Sequence, residues 1–263
     1  MKISIMQYSP SDNIFENYKK IRSYAEKAAA EQTRILVTQE CALCGYPPME
    51  IDSVDMIDFA EIDFYLNEFQ KLSQKLNIYI ALGVIRISNG KRYNSIAFIS
   101  PVDKTIQYYD KRALWGWDMD NYVPGKENKG IFTVDGVKIG FRICFEIRFP
   151  EYFRELYREN VDIAFVSFCD VSEEDNPVRY EIIKSHLITR AVENIFYVIS
   201  SNSISKYQTV PTCVINPDGI IEKYAEKDTE GIMNYEFSEI KDNFGRKGRK
   251  VNSDLLLKNQ EQI

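Results

Sequence analysis

His186 is the only histidine in 263 residues, and it sits inside the run KSHLITR, whose neighbours have helical spacing. Ser-His-Asp and Cys-His triads would both have to use it, yet catalytic groups usually project from loops at element ends. A structural or surface histidine is the better reading. Zinc sites need three or four closely spaced Cys/His ligands, which this chain lacks, and no strand-end acid pair suggests sugar chemistry. What remains is a cysteine whose base is not histidine.

Cys144 closes the apolar run VKIGFRIC just before a helix start at Pro150. Such a strand-turn-helix step resembles a nucleophile elbow: it exposes the thiol and leaves nearby N–H groups free to hold an oxyanion. Glu40 closes ILVTQE, so its carboxylate lies at the rim of a hydrophobic layer, where desolvation raises an acid toward the range of a proton shuttle. Lys111 closes TIQYYDK. Each has a plain alternative: an inert core thiol, an acid that starts a loop, one member of an Asp110/Lys111/Arg112 surface cluster. Acid, ammonium and thiol at three strand ends argue jointly for one site. Cys41 and Cys44 form a CxxC, but Gly45, Pro47 and Pro48 break the chain where a redox helix would start. Two buried or site-lining thiols are the better account.

The elements that must carry these residues can be read from periodicity. KISIMQY is a strand, and Asp12 or Asn13 caps a helix with Ile14, Tyr18, Ile21, Ala25 and Ala28 on one face. The strand RILVTQE, a helix near 62–76 and the strand IYIALGVIRI follow, then the hairpin YNSIAFIS/TIQYYDK. Residues 112–130 lapse into a loop longer than loops usually are without a function. IFTV and VKIGFRIC flank Asp135-Gly136, a strong hairpin signal. Next come a helix from Pro150, the strand DIAFVSF, the acidic loop SEEDNP, a helix near 178–194 and the strand IFYVISS. VPTCVIN, IIEKY and GIMNYEF are expected to form a late antiparallel group. About a dozen strands exceed one ordinary sheet, which predicts two sheets packed face to face with helices outside.

A net charge of -6 supplies no field for phosphate backbones, so nucleic acid is not an expected partner. No 18-residue apolar stretch or signal-peptide pattern appears, which predicts a cytoplasmic protein without a membrane contact. An odd number of cysteines, five, fits reduced thiols. One domain is expected over 1–263. The basic cluster Arg246, Lys247, Arg249 and Lys250 falls in 240–263, read as a tail for subunit contacts.

Three segments resemble the motifs of the nitrilase superfamily, the carbon-nitrogen hydrolases with a Glu-Lys-Cys triad. They are ILVTQECALCGYPP around Glu40, YYDKRALWGWDMDNYVPG around Lys111, and VKIGFRICFEIRFPEYFREL around Cys144, with Arg148-Phe149-Pro150-Glu151 after it. ITRAVENIFYVISSN and VINPDGIIEKY are weaker echoes. The resemblance implies a four-layer αββα sandwich and homodimers or higher homo-oligomers. It also implies hydrolysis through a thioester, with Lys111 and the Phe145 N–H holding the oxyanion and neither cofactor nor metal involved. Asp120, or with less support Asp118, would take the place of the family's second glutamate. Tyr46, Trp115, Glu146, Phe168 and Asp170 are expected to line the substrate pocket. An amidase or N-carbamoyl amidohydrolase of linear amides is the preferred branch. A nitrilase or a non-enzymatic scaffold of the same fold is the alternative. The loop acids Asp170, Glu173, Glu174 and Asp175 would favour a cationic substrate if they face the pocket, and are otherwise a solvated loop.

Overall fold

The computed structural model describes residues 1–126 and 128–260, with side chains as far as Lys258. The first helix, α1 (Ile14–Ala30), starts where the Asn13 side chain accepts the Glu16 N–H (3.0 Å), and it buries the predicted stripe Ile14, Tyr18, Ile21, Ala25 and Ala28. Helix α2 (Phe59–Leu76) is capped by Asp58 and ends at Asn77 in the left-handed region, φ 54°. Both cover the outer face of a six-stranded sheet ordered β14-β1-β2-β3-β4-β5. Its members are β1 (Lys2–Gln7), β2 (Ile35–Val37), β3 (Tyr79–Ser88), β4 (Lys91–Ile99), β5 (Gln107–Asp110) and β14 (Gly231–Glu236).

A second six-stranded sheet is ordered β13-β12-β10-β8-β7-β6. It holds β6 (Ile131–Val134), β7 (Val137–Ile143), β8 (Ile163–Phe168), β10 (Tyr197–Asn202), β12 (Cys213–Ile215) and β13 (Ile221–Tyr224). The short strands β9 (Val171–Ser172) and β11 (Tyr207–Gln208) pair with each other. A one-turn helix, α3 (Asp118–Asn121), lies in the long loop after β5. Helices α4 (Pro150–Arg158) and α5 (Pro177–Asn194) pack Phe153, Leu156, Ile183 and Leu187 on Ala164, Val166 and Val198 outside the second sheet.

Between the sheets lies one apolar layer. Ile3, Ile5, Ile35, Val37 and Phe98 face Phe132, Ile139, Phe141, Ile163 and Phe165, and Phe98 stacks on Phe132 across the gap at 4.4 Å. Along β8, Ile163 and Phe165 point into this layer while Ala164 and Val166 point to the helices. Burial of both faces is why such strands read as continuous apolar runs. The architecture is therefore the expected αββα sandwich.

One expectation needs correction. GIMNYEF does not join the late antiparallel group. As β14 it crosses to the first sheet and pairs antiparallel with β1, Lys2 opposite Glu236 and Gln7 opposite Gly231. The C-terminal segment carries a helix, α6 (Phe244–Gln260). Arg246 and Arg249 both bond Asp218 in the β12–β13 turn (2.7 and 3.0 Å), and Tyr157 donates to Asp254 (2.7 Å). Three of the four basic residues, Arg246, Arg249 and Lys250, thus have partners within the subunit, Lys250 through Asp254 at 3.4 Å.

Candidate active site

Strands β2 and β3 are parallel, and β5 runs in the same direction after two antiparallel steps. The ends of β2 and β5 therefore share one edge of the first sheet, which brings Glu40 and Lys111 together. Strands β7 and β8 end beside them in the second sheet, where Cys169 N–H donates to Glu40 Oε2 (2.9 Å) and Glu40 N–H donates to the Phe168 carbonyl (3.3 Å). The site thus straddles the seam between the sheets.

Two glycines allow the close approach. A Cβ on Gly83 of β3 would sit 2.0 Å from the Gln39 oxygen, and one on Gly125 would sit 2.3 Å from the Asp110 oxygen. Bare backbone lets the segments bearing Glu40 and Lys111 pack against their neighbours. Gly125 N–H also donates to the Lys111 carbonyl (2.9 Å), so the Pro124-Gly125 end of the long loop closes on the lysine.

Lys111 Nζ donates to Glu40 Oε1 (2.8 Å) and to Asp118 Oδ2 (2.6 Å), all three side chains being at most 1% exposed. Asn94 Nδ2 donates to the same Glu40 oxygen (2.7 Å), and the Tyr46 hydroxyl donates to Asp118 Oδ1 (2.7 Å). Burial pushes the Glu40 carboxyl up, and nearby Asp118 adds to this against the pull of Lys111 and the Cys169 N–H. For Lys111 burial opposes the charge, but Glu40, Cys144 and Asp118 outweigh it and hold the ammonium well above its usual range. The Cys144 thiol is pushed well up by burial and by Glu40, with Lys111 opposing. At rest the cysteine keeps its proton, and a base must remove it.

Cys144 follows Ile143 at the end of β7 with φ 45°, a left-handed conformation that a non-glycine residue adopts at a strained turn. It opens a 3-10 turn, Cys144–Arg148, and the Phe145 N–H falls in the first turn, where backbone donors have no intrahelical acceptor. Cys144, Phe145 and Lys111 line one cavity of about 160 Å³, which Tyr46, Trp115 and Asp170 also border.

Other expected residues lie elsewhere. Asp120 is exposed, and Asp118 supplies the second buried carboxylate. Glu146 is not in the pocket. Its carboxylate accepts the N–H of Arg112 and of Ile143 (2.7 Å each) and the Tyr109 hydroxyl (2.8 Å), bonding the residue after Lys111 to the residue before Cys144. Phe168 is fully buried under α5 in the second helical layer. Of the loop acids only Asp170 reaches the cavity, and Arg179 binds it through two 2.8 Å bonds. Glu173 pairs with Lys206 and Asp175 with Lys227, while Glu174 is exposed. Among the described residues the loop therefore sets no unpaired carboxylate on the cavity wall.

Cys41, Cys44 and Cys213 are buried, and Cys169 borders the cavity. Sequence reasoning missed Asn94, Arg179 and the pocket position of Arg148. Arg179 follows Asn176-Pro177, whose cap signal marks a helix start but carries no sign of the direction its third residue takes. His186 sits in α5, and burial with Arg148 and Arg190 nearby lowers its pKa. Among the described residues no group of His, Cys, Asp and Glu could hold a metal ion, and no helix is long and apolar enough to cross a membrane.

Comparison with known proteins adds three likenesses. The family model described as carbon-nitrogen hydrolase matches residues 2–239. A 2-oxoglutaramate amidase of Bacillus subtilis is 29% identical over 204 residues, 77% of this chain and 74% of that protein. A solved amidase from Nesterenkonia sp. AN1, in which acrylamide has added to the active-site cysteine, superposes with a TM-score of 0.79 at 18% identity, covering 90% of this chain and 93% of that one.

Proposed function

This chain belongs to the carbon-nitrogen hydrolase family, and from that premise we propose that it hydrolyses small linear amides or N-carbamoyl compounds, with Cys144 as nucleophile, Glu40 as proton shuttle and Lys111 as oxyanion stabiliser. The observation that carries this reading is the buried Glu40–Lys111 pair at 2.8 Å, set at the seam where Cys144 and Lys111 border the same cavity.

In this scheme Glu40 takes the thiol proton as sulfur attacks the amide carbon, and the carbonyl π-electrons move to oxygen. The oxyanion is held by the Lys111 ammonium and the Phe145 N–H. Collapse breaks the carbon–nitrogen bond, and Glu40 returns the proton to the departing ammonia or amine, leaving a thioester on Cys144. Water then loses a proton to Glu40, attacks the thioester and releases the acid, and the thiol is restored. Asp118 and Asn94 keep the ammonium and carboxylate oriented throughout, through the bonds given above. A raised carboxyl pKa suits a group that accepts and returns a proton near neutrality.

Pairing of subunits belongs to the same reading. It is supported by Val178 and Ile182, which stand out from α5 with 69% and 47% of their surface exposed, and by the apolar Phe244, Leu255 and Leu256 exposed on α6.

The test is ammonia release from a panel of amides, carbamoyl compounds and nitriles, including 2-oxoglutaramate, by the wild type and by Cys144→Ala, Glu40→Gln and Lys111→Ala. Turnover of amides that each variant abolishes, with the folded circular-dichroism spectrum retained at the assay temperature, is the expected result. Release from nitriles alone would replace the amidase reading with a nitrilase. No turnover of any class by a chain whose Cys144 reacts no faster than its other thiols would point to a scaffold.

A further inference from the structure

We propose that Glu50 is a positioning residue for the hydrolysis: it fixes the backbone of Tyr46, and through the Tyr46 hydroxyl it fixes the Asp118 carboxylate that orients Lys111. The inference rests on reading Lys111 as the stabilising ammonium of an amide hydrolase.

Residue 50 clasps Tyr46 from both sides. Its N–H donates to the Tyr46 carbonyl (2.8 Å), and its Oε2 accepts the Tyr46 N–H (2.9 Å). The turn between them is tight, since a Cβ on Gly45, whose φ is 77°, would stand 3.2 Å from the Glu50 Cβ. The other oxygen, Oε1, accepts the Ser203 hydroxyl. Ser203 follows β10 and donates its own N–H to the Phe168 carbonyl at the end of β8 (3.3 Å). Glu50 thus ties the loop after β2, in the first sheet, to strand ends of the second, across the seam that holds Cys144 and Lys111.

The far end of Tyr46 reaches the reacting groups. Its hydroxyl donates to Asp118 Oδ1 (2.7 Å), and Asp118 Oδ2 accepts from Lys111 Nζ (2.6 Å). Its ring borders the cavity, with Lys111 Nζ 5.9 Å from the ring centre. A phenol ring is rigid, so a tilt at the backbone is carried to the hydroxyl. A displacement of about 1 Å in a supporting group can cost about 10²-fold in rate.

The bonding also explains what a carboxylate does at this position. Glu40, Asp110, Asp170 and Glu155 each face a lysine or arginine. Burial pushes the Glu50 carboxyl up, and what draws it back is a set of neutral donors, the Ser203 hydroxyl, the Tyr46 N–H, Ser205 and the Cys169 thiol. Glu50 therefore serves as an acceptor with two separately aimed oxygens. A glutamine can reproduce both bonds, because a hydroxyl accepts as well as donates while its own amide oxygen takes the Tyr46 N–H. Alanine reproduces neither.

The experiment is a double-mutant cycle on kcat, read as ammonia release from the amide of the panel above that turns over fastest. Glu50→Ala should lower kcat by ~30-fold with KM within ~3-fold of wild type, and Glu50→Gln should stay within ~3-fold in both. In a Tyr46→Phe background, where the hydroxyl is already gone, Glu50→Ala should cost no more than ~3-fold further. Losses that multiply in full, or a Glu50→Gln no better than Glu50→Ala, would overturn the role, since a residue that only stabilises the fold does not act through the Tyr46 hydroxyl. Ser203→Ala, a milder change that frees one oxygen, covers a Glu50→Ala chain that does not fold. It should lower kcat by ~5-fold in wild type and leave Tyr46→Phe unchanged, and the same loss in both would overturn the role. Iodoacetamide labelling of Cys144 repeats the cycle without turnover, because a nearby ammonium favours the thiolate, and Glu50→Ala should slow it by ~5-fold. A slowing that vanishes in Tyr46→Phe, in a chain that hydrolyses no amide, would uphold the positioning and remove the hydrolase reading. Wild-type hydrolysis with losses that multiply would remove the positioning alone.

Discussion

Lys111 Nζ lies closer to Asp118 Oδ2, at 2.6 Å, than to Glu40 Oε1, at 2.8 Å, so one buried ammonium is shared by two buried carboxylates. Neutralising three such charges in a dry site needs their mutual contacts, and deleting one member leaves the others unbalanced. Asp118 therefore sets both where Lys111 points and how readily Glu40 holds a proton.

Asp118→Asn should lower kcat by ~100-fold, because it removes half of the clamp on the stabilising ammonium. Asp120→Asn, at an exposed position in the same turn, should stay within ~2-fold of wild type. Ammonia release measured side by side decides the matter, and equal losses would return the supporting role to Asp120.

The pH profile carries a sign. Glu40 must be ionised to take the thiol proton, and burial with Asp118 nearby raises its pKa, so the acid limb of kcat/KM should fall above the ordinary carboxylate range. In Asp118→Asn one of the raising charges is gone, and the acid limb should move to lower pH. A limb that stays in place or moves upward would exclude Glu40 as the group titrating there.

Thiol reactivity gives an independent check. The Cys144 thiol is held protonated by burial and by Glu40, yet it borders an open cavity while Cys41, Cys44 and Cys213 are enclosed. Iodoacetamide followed by peptide mass spectrometry should find Cys144 labelled first. Glu40→Gln should slow that labelling by at least ~10-fold at neutral pH, since the proton then has no acceptor. Unchanged labelling would mean the thiolate forms without the carboxylate.

Glu146 predicts a coupled loss. Its carboxylate accepts backbone N–H groups from the neighbours of Lys111 and of Cys144, and an amide in its place would set an NH2 group against a donor. Glu146→Gln should cost about 2 kcal/mol, or a Tm lower by about 4–8 °C, by the usual strength of charged hydrogen bonds in a chain of this size. Calorimetry and kcat on the same preparation should fall together. Full activity in a destabilised variant would confine Glu146 to stability.

The proposed pairing of subunits has its own readout. Light scattering should give about twice 30.6 kDa, and Ile182→Asp on the exposed face of α5 should lower the mass if that face is the contact. A monomer at all concentrations would remove the dimer from the reading.

Local signals were enough for much of this protein. Strand ends at Glu40, Lys111 and Cys144, the Asn13 cap, the Asp135-Gly136 hairpin and Pro150 at a helix start all depend on residues a few places apart, where turn chemistry and side-chain period act directly. The motifs around the triad added which strand ends converge. Tertiary structure decided the rest. The turn Asp118–Asn121 is too short to show a periodicity, so which of its two aspartates faces inward depends on Lys111 and on Tyr46, 72 residues away in the chain. The crossing of β14 to the first sheet depends on pairing with β1, over 200 residues earlier, and the place of Arg148 and Arg179 on one cavity wall is visible only once the turn after Cys144 has packed against α5. Contacts of that separation leave no mark in a window of sequence, because the energy that selects them comes from surfaces assembled by the whole chain.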